Sequence, residues 1–224
     1  VDEPQLAGTG HVAVWVAVGA APRDEPLSLD QRARRFHRAR VAAHRVGRQL
    51  VEAYSSCAPD RQAWERDGRG RPLVVFPGGL HVSLSHGEAV VAAAVSWDAP
   101  VGVDVERLRP LADRGALART ALSVSERQAV DALPEALRDA QVLRFWTRKE
   151  AVAKALGTGL ATHLRGIVTT AHGAVTALPD PCGEITAWSL ADLAAGDGVV
   201  ASVAVRAPGV RVVTRTLALP ADEG

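Results

Sequence analysis

The chain has 224 residues, 47% of them hydrophobic, enough to build a sizeable core in one large domain or in two of about 110 residues. A formal net charge of +1 excludes a bulk polybasic or polyacidic chain, though not a local charged patch. The longest apolar run, Ala89 to Trp97, is too short to span a bilayer, and the acidic start VDEPQLAG lacks the order of a secretory signal. A soluble cytoplasmic protein is the expectation.

The first predicted strand is Val12 to Val18. An arginine-rich helix follows over Ser28 to Tyr54, capped by Ser28, with Phe36, Val41, Val46, Leu50 and Val51 as its apolar stripe. Gly68, Gly70, Pro72, Pro77 and Gly78-Gly79 mark turns. Strands are expected at Leu80–Leu84 and Ala89–Trp97, then a turn at Asp98-Ala99-Pro100 into the strand VGVDVERL. Ser123 or Ser125 begins a helix in LSVSERQAVDAL, with acid and amide residues just inside it. A long helix from Glu135 to Leu156 ends at Gly157 and Gly159. Strands over Leu164–Thr170, Glu184–Leu190, Val199–Val205 and Val210–Leu217 complete the pattern. Cys57 and Cys182 have no companion at metal-ligand spacing and read as buried thiols.

A faint repeat relates VVAAAVSWDAPVGVDVERL, from Val90, to VVASVAVRAPGVRVVTRTL, from Val199. It is the pattern of two similar α+β halves. The second copy carries Val213 and Arg215 where the first has Asp104 and Glu106, so one metal site per chain is expected, not two.

In VGVDVERL the two-residue period places Asp104 and Glu106 side by side, roughly 6–7 Å apart, on the face opposite three valines. Such like charges repel unless a cation lies between them, and Mg²⁺ prefers oxygen ligands. The plain alternative is an edge strand with a solvated acidic face. Only two of the 26 basic residues are lysine, Lys149 and Lys154, and both flank Glu150 in LRFWTRKEAVAKALGTGL. Retaining a compact ammonium there, where all other cations are guanidinium, points to a small anion such as phosphate. Glu150 and Lys154 share a helix face, and the alternative for them is a surface ion pair. Lys149 lies about 100° around the helix, and its role stays open. In HVSLSHGEA, Ser83, Ser85 and His86 could meet phosphate oxygens at a strand end. The seven arginines between Gln31 and Gln49 suit an acidic partner or a phosphate better than nucleic acid, which would call for more aromatic interleaving.

Taken together, these pieces resemble the 4′-phosphopantetheinyl transferases of the surfactin-synthetase-activating type. The match is carried by Gly102-Val103-Asp104-Val105-Glu106, by Trp146-Thr147-Arg148-Lys149-Glu150-Ala151 with Lys154, and by Gly157-Thr158-Gly159-Leu160. Gly70-Arg71-Pro72, Ser83-Leu84-Ser85-His86 and a helix with RRF and Arg45 support it. The resemblance implies an α+β pseudo-dimer with halves 1–100 and 101–224 and the active site in the cleft between them. It implies coenzyme A as substrate, Mg²⁺, and an acyl or peptidyl carrier protein as partner, for a monomer that binds neither nucleic acid nor membrane. Carried over by position, Asp104, Glu106 and Glu150 hold the metal, and Glu150 and Lys154 are catalytic. Lys154, Ser85 and His86 meet phosphates, while Arg45 and Arg71 meet the nucleotide end. Three departures stand out: Gly87 follows His86 directly, Arg71 stands where lysine is common, and Arg32 only loosely replaces a lysine pair. The alternatives are an Mg²⁺-dependent nuclease or phosphohydrolase on the same carboxylates, and a non-catalytic carrier-binding protein.

Overall fold

The computed structural model describes residues 10–19, 28–97, 99–158, 164–179 and 183–219. Asp98, Gly159, Leu160, Cys182 and the amino-terminal VDEPQLAG lie outside them. In chain order the elements are β1 (His11–Val18), α1 (Leu29–Ser55), β2 (Ala63–Arg66), β3 (Pro72–Phe76), β4 (Leu80–Gly87), β5 (Val90–Trp97), β6 (Val101–Arg107), α2 (Arg114–Ala121), α3 (Val124–Asp131), α4 (Glu135–Leu156), β7 (Val168–Thr169), β8 (Val175–Ala177), β9 (Ser189–Asp192), β10 (Val199–Val205) and β11 (Arg211–Ala218). None of these helices is long and apolar enough to cross a membrane.

Strand alternation sorts the valines into layers. One face of the sheet β11-β1-β5-β4, carrying Val12, Val14, Val16 and Val90, packs on Val101, Val103, Val203 and Val205 of the sheet β6-β10-β9. The opposite face of the first sheet takes Val46, Leu50, Val51 and Tyr54 of α1. The opposite face of the second takes α4, through Ala151, Val152 and Ala155. The order is therefore helix, sheet, sheet, helix: a mixed α/β fold with two sheets at its centre. Both copies of the sequence repeat cross between the sheets, but in opposite senses. β5 leads into β6 from the first sheet to the second, and β10 leads into β11 back again. β1 lies between β5 and β11, antiparallel to one and parallel to the other.

Several expectations are corrected. In α1, Phe36 and Val41 do not join the buried stripe; they are 61% and 53% exposed, Phe36 meeting the sheet only at its edge, beside His86, and Val41 lying off the face that buries Ala43, Val46 and Leu50. The Gly- and Pro-marked stretch hides a hairpin, β2–β3, and α2 was not foreseen; its start is held by Asp113, whose Oδ1 accepts from the Ala116 amide at 2.7 Å. Leu164–Thr170 is a 3-10 turn at Leu164–Gly166 followed by the two-residue β7. Its carbonyls at Leu164 and Ile167 turn inward and accept from Lys149 Nζ instead of a strand partner. Glu184–Leu190 likewise opens as a 3-10 turn, Ile185–Ala187, and the strand β9 starts later. Cys57 is a half-buried free thiol.

Lys149 is the larger surprise. Its ammonium is fully buried, 2.6 Å from Glu126 Oε2 on α3, with the Leu164 and Ile167 carbonyls as its other two acceptors. Three acceptors around one ammonium suit lysine's three N–H donors and would not suit a planar guanidinium. This is the physical reason for a lysine here, and it leaves no face for an external phosphate. Lys149→Met strands a buried carboxylate, so a loss of about 3–5 kcal/mol is expected in urea denaturation. An unchanged midpoint would mean the pair is dispensable.

Candidate active site

The site grows from an edge strand. β6 borders the second sheet, and its alternation sends Val101, Val103 and Val105 into the core between sheets while Gly102, Asp104 and Glu106 face the other way. Gly102 lets α4 lie directly on β6: a β-carbon there would stand 1.9 Å from the Ala151 carbonyl oxygen. That close approach brings Lys154 Nζ to 2.7 Å from Asp104 Oδ1 and 3.0 Å from the Val103 carbonyl. From the other side, edge strand β4 supplies two hydroxyls. Ser83 Oγ accepts from the Val103 amide at 3.1 Å, and Ser85 Oγ donates to Asp104 Oδ1 at 2.7 Å.

The free edge of β6 is thus satisfied by side chains, Ser83 on its N–H and Lys154 on its C=O. Ser83→Ala leaves that buried amide without an acceptor. It should lower stability by about 1–3 kcal/mol, read from a thermal or urea midpoint. A silent substitution would show that water reaches the Val103 amide.

Three carboxylates share this place without yet forming a cage. Asp104 is 6% exposed, so the solvated acidic face weighed against it does not exist. Asp104 Oδ2 and Glu150 Oε1 are buried with no hydrogen-bond partner. Burial, then the Asp104 charge, push the Glu150 carboxyl up to about 7, against the opposing pull of Lys154. Burial and Asp104 also raise Glu106, opposed by Arg109, whose Nη1 donates to Glu106 Oε2 at 2.9 Å. Two orphaned buried oxygens amid mutually repelling acids are the donors that a hard divalent cation fits. Even so, no three His, Cys, Asp or Glu side chains are gathered in metal-holding geometry among the described residues. Lys154 and Arg109 carry the local positive charge.

The other expected site residues divide. His86 stacks edge-on with Phe36, ring centres 4.7 Å apart, and burial followed by the Lys154 charge lowers its pKa, favouring neutral imidazole. It opens on a cavity of about 290 Å³ lined by Arg32, Arg35, Phe36, Glu106 and Arg109. Arg35 and Arg109 were not foreseen there; the close spacing of Glu106 and Arg109 in VERLR was the available signal. Arg71 pairs with Asp67 at 3.1 Å and lies against Gly157, one turn beyond Lys154. Its neighbour Arg69 donates to the Gly157 carbonyl at 2.8 Å. Arg45 is exposed on α1 and does not line the cavity beside Glu106. Lys149 is structural, as described above.

Buried acids and an ammonium on facing layers suit the handling of a phosphorylated group, and comparison with known proteins specifies the family. The model of the 4′-phosphopantetheinyl transferase superfamily matches residues 100–204, the span holding Asp104, Glu106, Glu150 and Lys154. The chain is 32% identical over 191 residues to the 4′-phosphopantetheinyl transferase HetI of Nostoc sp., covering 80% of this chain and 78% of that protein. It is 31% identical over 114 residues to the 4′-phosphopantetheinyl transferase psf-1 of Bacillus pumilus, spanning 51% of this chain and about half (48%) of psf-1. Against the 4′-phosphopantetheinyl transferase AcpT of Escherichia coli K12 the figures are 32% over 131 residues, 58% and 65%. The chain belongs to the 4′-phosphopantetheinyl transferase superfamily and is a transferase.

Proposed function

We propose that the chain transfers the 4′-phosphopantetheine arm of coenzyme A to a serine of an acyl or peptidyl carrier protein, with Mg²⁺, releasing adenosine 3′,5′-bisphosphate. The observation that carries this reading is the pair of orphaned oxygens, Asp104 Oδ2 and Glu150 Oε1, buried beside the Lys154 ammonium where α4 crosses β6. Family membership favours transfer over the nuclease and non-catalytic alternatives. The surfactin-activating type is the subtype proposed, and the carriers are read as those of secondary metabolism. The chain is further read as a cytoplasmic monomer of two α+β halves, 1–100 and 101–224, with the site in the cleft between them. The opposite crossings of the repeated segments fit two related halves, joined where β11 of the second pairs with β1 of the first.

In this reading Asp104, Glu106 and Glu150 would hold Mg²⁺, whose contribution is to neutralise the pyrophosphate. Ser85, His86 and Lys154 are proposed to meet phosphate oxygens, Ser85 by turning the O–H that it otherwise gives to Asp104. Arg71, at the end of α4, meets the nucleotide end, and Arg45 is proposed for the same end from α1. The carrier serine oxygen forms a bond to the phosphorus that bears the pantetheine arm. The bond from that phosphorus to the nucleotide phosphate breaks, and the serine proton passes to Glu150, directly or through water. Without a cation, burial and the neighbouring acids raise the Glu150 carboxyl to about 7. Beside Mg²⁺ it would be lower, leaving the carboxylate form that a base requires. Positioning and charge neutralisation supply most of the rate.

The test is intact-mass spectrometry of apo carrier proteins incubated with the enzyme, Mg²⁺ and coenzyme A. Addition of one phosphopantetheine arm is the expected result. No mass shift on any member of a panel of fatty-acid, polyketide and peptide carriers would remove the proposal.

A further inference from the structure

We propose that Arg148, through Asp192, is a positioning residue that sets the rotation of α4, and so holds Glu150 and Lys154 against Asp104. The proposal rests on the transfer reading for its kinetic consequence and on geometry alone for its structural one. Residues Thr147 to Ala153 of α4 are all buried. A helix covered on every side has no amphipathic stripe to decide which face points where. Something else must fix its rotation.

The second sheet supplies a ruler. Ser202 on β10 pairs in register with Asp104 on β6 and with Asp192 on β9, so Asp104, Ser202 and Asp192 form one row across three strands. Each member of that row meets a different residue of α4. Lys154 reaches Asp104. Thr147 Oγ1 lies 3.0 Å from Ser202 Oγ. Arg148 grips Asp192 with two nitrogens, Nε on Oδ1 at 2.9 Å and Nη2 on Oδ2. Its remaining hydrogen bonds go to the Thr170 and Ala171 carbonyls, and Ser202 Oγ also donates to Asp192 Oδ1. A bidentate guanidinium–carboxylate pair is directional as well as strong. One helical residue spans 100°, so a turn by a single position would take Lys154 and Glu150 off Asp104 together.

A purely structural ion pair and a positioning pair differ in a double variant. Arg148→Met alone leaves the Asp192 carboxylate without its main partner, whereas Arg148→Met with Asp192→Leu replaces the pair by apolar contact and should recover stability. The Arg148–Asp192 grip is lost in both, leaving Thr147 on Ser202 as the contact that remains beside it. With the double variant assayed well below its melting midpoint, kcat should fall about 100-fold, the cost of misplacing reacting groups by an ångström or so. KM for coenzyme A should rise as well, because Lys154 and Glu150 leave the pyrophosphate that they are proposed to hold. A spectroscopic reading is available because the chain has only two lysines. Lysine-selective ¹³C,¹⁵N labelling gives one buried signal, Lys149, and one site signal, Lys154, assigned with Lys154→Met. The Lys154 signal should move toward that of free lysine in the double variant while the Lys149 signal stays.

Loss of kcat together with that shift supports the proposal. Either change without the other, or wild-type values for both in a stable double variant, overturns it. Should the wild-type protein transfer nothing, the transfer reading falls on that result, and the Lys154 signal alone then decides whether Arg148 positions α4.

Discussion

Gly102→Ala is expected to lower stability by more than about 4–5 kcal/mol, beyond the range of ordinary substitutions, and to leave little active enzyme. The added methyl carbon would lie 1.9 Å from the Ala151 carbonyl oxygen and 2.5 Å from the Ala155 nitrogen. Both obstacles are main-chain atoms of α4, so no side-chain rotamer can relieve them. Ordinary contact needs about 3.5 Å, which requires the helix to withdraw by roughly 1.5 Å. That withdrawal opens the apolar seam between α4 and the second sheet. It also pulls Lys154 from Asp104 and the Val103 carbonyl, contacts made within a turn of the collision. Loss of fold and loss of site therefore have one cause. Urea denaturation checks the first; a wild-type midpoint in Gly102→Ala would mean that α4 does not lie on this glycine.

The parts of the site with a local period were legible in the sequence. Alternation in VGVDVE placed Asp104 and Glu106 on the face opposite the valines, and a cap at Ser123 or Ser125, of which the fold uses Ser123, and a stop from Gly157 bounded α3 and α4. What escaped was whatever depends on a partner from elsewhere in the chain. Lys149 and Lys154 look alike as letters. One turns to Glu126 and two inward carbonyls, the other to Asp104, and only packing separates them. The sequence puts Phe36 and Val41 on the stripe, but Phe36 meets the sheet only at its edge, beside His86, and Val41 lies off the face that buries Ala43, Val46 and Leu50. Ser83 looked like a phosphate contact because a hydroxyl carries no mark of its acceptor role on an edge-strand amide. The row from Asp104 through Ser202 to Asp192 is invisible before strand order is known, since Asp104 on β6 lies far in sequence from the consecutive strands β9 and β10 that carry the other two.

Asp104→Asn should separate function from stability. Transfer is expected to fall by at least about 100-fold, the scale for removing a group that stabilises charge in the transition state. Stability should change by less than about 1 kcal/mol, because asparagine keeps an acceptor for Ser85 and Lys154. The charge it removes is the one that, after burial, raises both Glu106 and Glu150. Relief of that repulsion offsets the weakened contact with Lys154. The pH dependence provides a second reading, taken in chelator to keep divalent cations away. Glu150 starts from an ordinary 4.5 and reaches about 7 in the fold, so the folded state binds its proton more tightly than the unfolded chain does. Its contribution to stability is therefore full below pH 4.5 and is lost as pH rises toward about 7. In Asp104→Asn that decline should be shallower, with transfer nonetheless gone. A variant that lost stability and activity in proportion would instead make Asp104 part of the scaffold, and the acids facing α4 would then need another explanation.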